Sequence, residues 1–273
     1  MASRIIKKNL DMNLLERFPK SNRNYLPVNN TCTSLVKFGD ILTSTVGYPK
    51  FTSIIRHMVQ IPRNKYGLLI GIIISDGWLQ INKSGNTRLA FKQALSQYEY
   101  LFYVYNQLAH YCSAPPKLVK STLNYKSENK TFYAISFSTR SYPAFTELYS
   151  IFYENNRKIV PKNLYDLLTY EALAHWICGD GTNTFGGITL QTQSFTIQEV
   201  VHIINVFIIK FDLKCTIHMQ RGQPTIYISA KSIKKILPKI LPYICDGMKY
   251  KVTEAIVPKK RPAAPPSGGA AGL

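Results

Sequence analysis

The chain has 273 residues, with 34 Lys and Arg against 15 Asp and Glu, a formal net charge of +19. Hydrophobic residues make up 45% and charged residues only 18%, which excludes a disordered basic tail and leaves enough apolar material for a core. So large a positive excess costs stability by self-repulsion and is best offset by a polyanionic partner, which points to nucleic acid.

Residues 1–55 are polar, with turn signals at Pro27, Gly47 and Pro49, and read as an N-terminal extension packed onto a body. Residues 257–273 form a Pro/Gly/Ala stretch, expected to be a disordered tail or an expression scar. Between them, residues 56–161 and 162–256 resemble each other.

Three marks define the repeat. Each half opens with an apolar run ending in Asp-Gly, Leu68 to Gly77 and Ala172 to Gly181. A strand-like segment and a capping-box pattern follow, Lys92-Gln93 with Ser96 to Glu99, and Thr192-Gln193 with Thr196 to Glu199. Two strand-like segments, a helix and a short basic segment complete each half, the last being Asn156 to Val160 and Gly247 to Lys251. The fold class is therefore α+β, two αββαββα units with antiparallel sheets.

The clearest strands are Leu213 to Gln220 and Thr225 to Lys231. Lys214, Thr216, His218 and Gln220 alternate with apolar residues, and Thr225, Tyr227, Ser229 and Lys231 do the same. This wet face holds no carboxylate, which suits a phosphate-lined partner. The matching face of the first half is expected to carry Lys120, Thr122 and Asn124 with Ser136, Ser138 and Arg140. The strands before the capping boxes add Arg88, Lys92 and Gln191.

An Asp in the last turn of an apolar helix faces the negative end of the helix dipole, so a cation is expected beside it. A single such Asp reads equally well as a cap of the following Gly turn. Asp76 and Asp180 occupy equivalent positions, however, in a chain with only 15 acids. If the two helices pack side by side, Ser75 and Gly179 let the backbones approach and both carboxylates arrive together. Oxygen-only ligands point to Mg²⁺ rather than zinc, and Mg²⁺ beside a phosphate-binding surface points to phosphodiester hydrolysis. The five cysteines contain no CxxC pair and the five histidines lack ligand spacing.

The two runs resemble the paired motifs of the LAGLIDADG homing endonucleases in their single-chain form. Ser44 to Phe51 upstream and Lys162 to Tyr165 before the second motif extend the match over residues 40–256. The resemblance implies that Asp76 and Asp180 bind divalent metal, and Ser75 and Gly179 are counted with them as metal-site residues. It places the strand-end polar residue on Gln93 and Gln193 and the basic residue after the third helix on Lys158 and Lys249. It implies sheets forming a saddle in the major groove of a long, nearly non-palindromic DNA site, cut on both strands. Base readout falls to Arg88, Lys92, Lys120, Asn124, Arg140, Gln191, Lys214, His218, Gln220, Tyr227 and Lys231. Mg²⁺ is the expected cofactor, with Mn²⁺ substituting and Ca²⁺ supporting binding without turnover. The sequence departs from the family pattern at His175 and Trp176, where small or aliphatic residues are usual.

The rival reading within the family is an RNA-binding intron maturase, with host intron RNA as partner; a regulator that kept the fold and lost the chemistry is a third. Retention of both acids favours cleavage. An intein is disfavoured by the residues at the two ends, Met1-Ala2 and Ala271 to Leu273. A monomer is expected, without membrane partners, inside the cell. Abundant Ile, Lys, Asn and Tyr suggest AT-rich coding DNA and so a mitochondrion or another organelle.

Overall fold

The computed structural model describes residues 44–125, 128–184 and 186–256; the expectations for residues 1–43 and 257–273 lie outside them. The chain divides into two compact units, one running to Asp180 and including Lys239–Met248, the other comprising Gly181–Pro238 and the segment from Lys249. Among the described residues no helix is long and apolar enough to cross a membrane.

The first unit opens with α1 (Ser53–Met58), capped by Thr52, and α2 (Arg63–Ile74). Every residue of α2 from Gly67 to Ile74 is buried, so this helix has no wet face and must be enclosed on all sides. One neighbour is α6 (Tyr170–Asp180), in which Ala172 to Cys178 are buried. The two pack along a glycine-lined seam. A Cβ added at Gly71 would lie 2.6 Å from the His175 Cβ and 3.0 Å from the Ala172 Cα, so only glycine permits this approach. That vacancy also makes room for the bulky His175; it and Trp176 are both fully buried.

Between the two helices run β1 (Trp78–Ile81), β2 (Thr87–Ala94), α3 (Tyr98–Leu108), β3 (Lys117–Tyr125), β4 (Glu128–Ser138) and α4 (Pro143–Phe152). The strands form an antiparallel sheet in the order β1-β2-β4-β3. Leu89, Phe91, Ile135 and Phe137 face α3 and α4, with Phe91 edge-on to Tyr100 at 5.7 Å and Tyr105 edge-on to Phe137 at 5.4 Å. Pro143 opens α4 at a position where its missing N–H costs nothing. A short hairpin, β5 (Tyr153–Glu154) and β6 (Arg157–Lys158), and α5 (Leu164–Leu167) lead to α6.

The second unit continues the pattern with β7 (Gly181–Thr184), β8 (Gly187–Leu190), α7 (Ile197–Phe211), β9 (Cys215–Gln220), β10 (Gln223–Ser229), α8 (Ala230–Ile240) and α9 (Tyr250–Thr253). Its sheet order, β7-β8-β10-β9, repeats that of the first. Each half is thus αββαββα, as the repeat predicts. The division falls at Asp180 rather than at residue 161 because α6 is built into the first unit.

Local details differ from the sequence reading. The capping box at Thr196 and Glu199 forms, but its expected counterpart at Ser96 does not: Leu95–Gln97 is a 3₁₀ turn and α3 has no side-chain cap. Glu99 instead lies against Gly247. The β8 strand ends at Leu190, so Gln191 and Gln193 lie beyond it. Lys231 belongs to the first turn of α8, not to the strand alternation. The face of β9 expected to be buried is only partly covered, since β9 is an edge strand and Met219 is 62% exposed.

Candidate functional site

The α2 helix stops at Ser75, whose hydroxyl turns back onto the Gly71 carbonyl (2.8 Å), and Gly77 N–H closes on the Ile72 carbonyl (2.6 Å). Asp76 is therefore held at the helix end. Across the seam, a Cβ at Gly179 would lie 2.7 Å from Ser75 Oγ and 2.9 Å from Asp76 Oδ2. The first motif's carboxylate thus rests against the backbone of the residue preceding Asp180, and the two motif acids share one end of the seam. From the end of β2, the buried Gln93 donates Nε2–H to Asp76 Oδ2 at 2.7 Å, fixing that carboxylate.

The expected cation is Lys158. Its hairpin turns through Asn155 (φ 49°) and Asn156 (φ 62°), consecutive left-handed residues that suit Asn and fit a tight hairpin. Its Nζ donates to the carbonyls of Ser75 (2.9 Å) and Gly77 (2.7 Å), meeting the negative end of α2. Burial pushes the Lys158 pKa down to about 8, while Asp180 and Asp76 pull it back up.

The donor set suits a hard dication. Among the described residues no group of three or more His, Cys, Asp and Glu forms a metal cluster. What the seam offers is carboxylate and carbonyl oxygen, the set that magnesium takes with water or substrate completing its shell. The Ser75 carbonyl is already engaged by Lys158.

In the second unit, Gln193 is exposed past the end of β8, and Lys249 is half-buried at the start of α9. Two residues on, Lys251 is only 6% exposed in a helix that packs on β7. A buried ammonium is costly unless paired, which marks Lys251 as a residue of consequence that sequence reasoning missed. The signal was present: Arg157-Lys158-Ile159-Val160 matches Tyr250-Lys251-Val252-Thr253 more closely than any pairing through Lys249.

His175 lies in the seam with its Nδ1 3.1 Å from the Tyr100 hydroxyl, which is also 3.2 Å from the His175 carbonyl; its Nε2 meets no partner among the described residues. Burial lowers its pKa to about 4, so the ring is neutral in the folded chain. Between pH 6.5 and about 4 the unfolded chain takes up a proton that the folded chain refuses. Stability should therefore fall by about 3 kcal/mol over that window. Denaturant melts at pH 7 and pH 4.5 check this, with His175→Gln flattening the difference.

The register sorts the expected nucleic-acid residues. In the first sheet Lys92 pairs with Ser136, and Ser136 with Lys117, so these share the face of Arg88 and Ser138. They line a groove of about 360 Å³ that also includes Trp78 and Gln80 and no carboxylate. Lys117 was not anticipated. Lys120 pairs with Tyr133 and Asn124 with Asn129, which puts these two positions on the opposite face from Ser136 and Ser138. The face predicted for the first half therefore mixed two sides of the sheet, because the start of β3 could not be located from its pattern. Arg140 is committed elsewhere: its guanidinium donates to the carbonyls of Thr45 (3.2 Å) and Tyr48 (2.9 Å) and lies over the Phe51 ring, tying residues 45–51 to the first unit.

In the second sheet the residues predicted to be wet share one face, but Thr225 on it is buried, its hydroxyl donating to the His218 carbonyl at 2.9 Å. Thr182, Thr189, Tyr227 and Thr216 lie across it in register, followed by Thr225 with His218 and Gln223 with Gln220. His218 stacks on Tyr227 at 5.1 Å. Lys214 precedes β9, held by its N–H to Ser232 Oγ at 2.8 Å.

A family model described as the LAGLIDADG DNA endonuclease family matches residues 66–236. The cytochrome b mRNA maturase bI2 of Debaryomyces hansenii is 32% identical over 191 residues, covering 68% of this chain and 72% of the relative. Its namesake in Saccharomyces cerevisiae is 30% identical over 201 residues, and there the match spans 69% of this chain but 47% of the relative, about half its length. Among solved structures, the homing endonuclease I-WcaI bound to its DNA recognition sequence superposes with a TM-score of 0.67 at 26% identity, covering 78% of this chain and 98% of that one.

Proposed function

The chain belongs to the LAGLIDADG DNA endonuclease family, and on that premise we propose that it is a site-specific double-strand DNA endonuclease of the intron-homing type. The observation that carries this reading is the carboxylate end of the seam, where Asp76 lies against Gly179, Asp180 follows, and Lys158 is close to both. Asp76 and Asp180 would hold divalent metal, Mg²⁺ with Mn²⁺ able to replace it. A cation there would stabilise charge on the phosphoryl oxygens and activate water. Gln93 orients the Asp76 carboxylate, and Lys158 keeps the helix end closed and offsets negative charge. In the other half these supporting roles fall to Gln193 and to Lys249 or Lys251. Duplex DNA would lie on the carboxylate-free sheet faces, against Arg88, Lys92 and Lys117 in one unit and His218, Gln220 and Tyr227 in the other. The solved relative bound to its recognition sequence supports that placement.

A second reading is an intron RNA maturase, with or without cleavage, favoured by the relatives named as mRNA maturases. The abundance of Ile, Lys, Asn and Tyr supports an organellar host gene. The test is cleavage of a randomised duplex-DNA library with Mg²⁺ and then with Ca²⁺. Double-strand cutting at one long site with Mg²⁺, and binding without cutting in Ca²⁺, is the expected result. Selective binding without cutting in any metal would move the protein to the RNA reading.

A further inference from the structure

Beside the groove of the first sheet, past the open edge of β1, lies a second cavity of about 710 Å³, within the usual range for small-ligand sites. Two of its walls are the rings of Tyr149 and Tyr153, stacked at 4.6 Å and within 6° of parallel. Both rings are fixed in place. Tyr149 donates its hydroxyl to Asn156 Oδ1 at 2.8 Å, and Tyr153 Oη accepts the Leu79 N–H at 3.1 Å. The polar lining is amide, hydroxyl and guanidinium, from Gln80, Asn82, Asn156, Ser141 and Arg88, with no carboxylate among the described residues. Gln80 and Arg88 also line the groove, and the Arg88 Nε donates to Gln80 Oε1 at 2.9 Å, so this pair is a sill shared by the two spaces.

A rigid aromatic platform with amide groups around it and a cation at its entrance is chemistry for a nucleobase. The ring takes the base face, the amides its hydrogen-bonding edge, and the guanidinium the phosphate. A lining that holds a guanidinium and no carboxylate favours an anionic or neutral ligand over a cationic one. Continuity with the groove says where the base comes from. We infer that the cavity receives one unpaired base of a DNA duplex lying in the groove, stacked on Tyr149. This rests on the reading of that groove as the DNA face. It adds a site that responds to distortion of the duplex rather than to its paired sequence. The hairpin that supplies Tyr153 and Asn156 also carries Lys158, so occupation of the cavity bears on the element that closes the end of α2.

The probe is a short DNA duplex with a single bulged 2-aminopurine, compared with the same duplex fully paired, in Ca²⁺. The intact protein should bind the bulged duplex about tenfold more tightly, with quenching of the probe's fluorescence as it stacks. Tyr149→Leu should lose both the preference and the quenching while binding the paired duplex as before, and Tyr149→Phe should keep most of each. Thermal melts establish that the variants are folded. Equal affinity for the two duplexes in the intact protein, or a preference that survives Tyr149→Leu, overturns the cavity assignment but leaves the groove reading standing. Failure to bind either duplex even at low ionic strength, where phosphate contacts alone hold DNA, overturns both.

Discussion

Replacing Asp76 or Asp180 by Asn is expected to lower double-strand cleavage at least about a thousandfold while leaving duplex binding in Ca²⁺ within a few-fold of the parent. The substitution is nearly isosteric. In Asp76→Asn the side-chain carbonyl can still accept from Gln93, so the end of α2 keeps its shape. What disappears is one of the two carboxylates at this end of the seam, and with it much of the attraction for a dication. Because Gly179 brings Asp76 against the backbone beside Asp180, neither acid has a private environment. Each single change should therefore affect both strands, with residual activity appearing as nicks in supercoiled plasmid. The same variants should melt within a few degrees of the parent in metal-free buffer, because relief of like-charge repulsion offsets the weakened pull on the Lys158 ammonium. Loss of cleavage combined with a large fall in melting temperature would instead mark the acids as structural.

The repeat was legible because the strongest constraints on this chain are covalent and local. A helix buried on all sides must be apolar throughout, so the Gly67–Ile74 run announced itself, and its ending in Asp-Gly recurred at Asp180. The box at Thr196 and Glu199 was readable for the same reason, as its hydrogen bonds span three residues. Ser96 and Glu99 show the same spacing, yet a 3₁₀ turn displaces the cap and Glu99 turns toward Gly247, a neighbour far away in sequence. Strand faces were legible where alternation was clean, as in Thr225 to Ser229. They failed at Lys120, because side-chain period is two and a shift of one residue in β3 reverses every side chain. Arg140 could not be placed because its partners, the carbonyls of Thr45 and Tyr48, lie far upstream and carry no sequence signature. Lys251 was passed over for a simpler reason. Lys249 and Lys251 are two residues apart, and the β-branched Val252 after Lys251, matching Ile159 after Lys158, is a weak signal that burial makes plain.

Lys158→Met should reduce turnover about a hundredfold and at the same time lower the Mg²⁺ concentration needed for half-maximal activity. These two effects have different origins. As an ammonium close to both Asp76 and Asp180, Lys158 competes with a dication for the same negative charge. Removing it strengthens the field that the metal meets, so the metal midpoint falls. Yet the Ser75 and Gly77 carbonyls lose their shared donor, the end of α2 loosens, and the positive charge beside the acid pair is gone. Turnover therefore falls even at saturating metal. Lys158→Arg separates the terms further: it keeps the charge but cannot place a compact ammonium between two carbonyls, so the metal midpoint should stay near that of the parent while turnover drops. Metal titrations of cleavage by the three proteins on one substrate give both quantities. A midpoint that rises in Lys158→Met would mean that the lysine supports metal binding indirectly through the fold, not that it competes for the carboxylates.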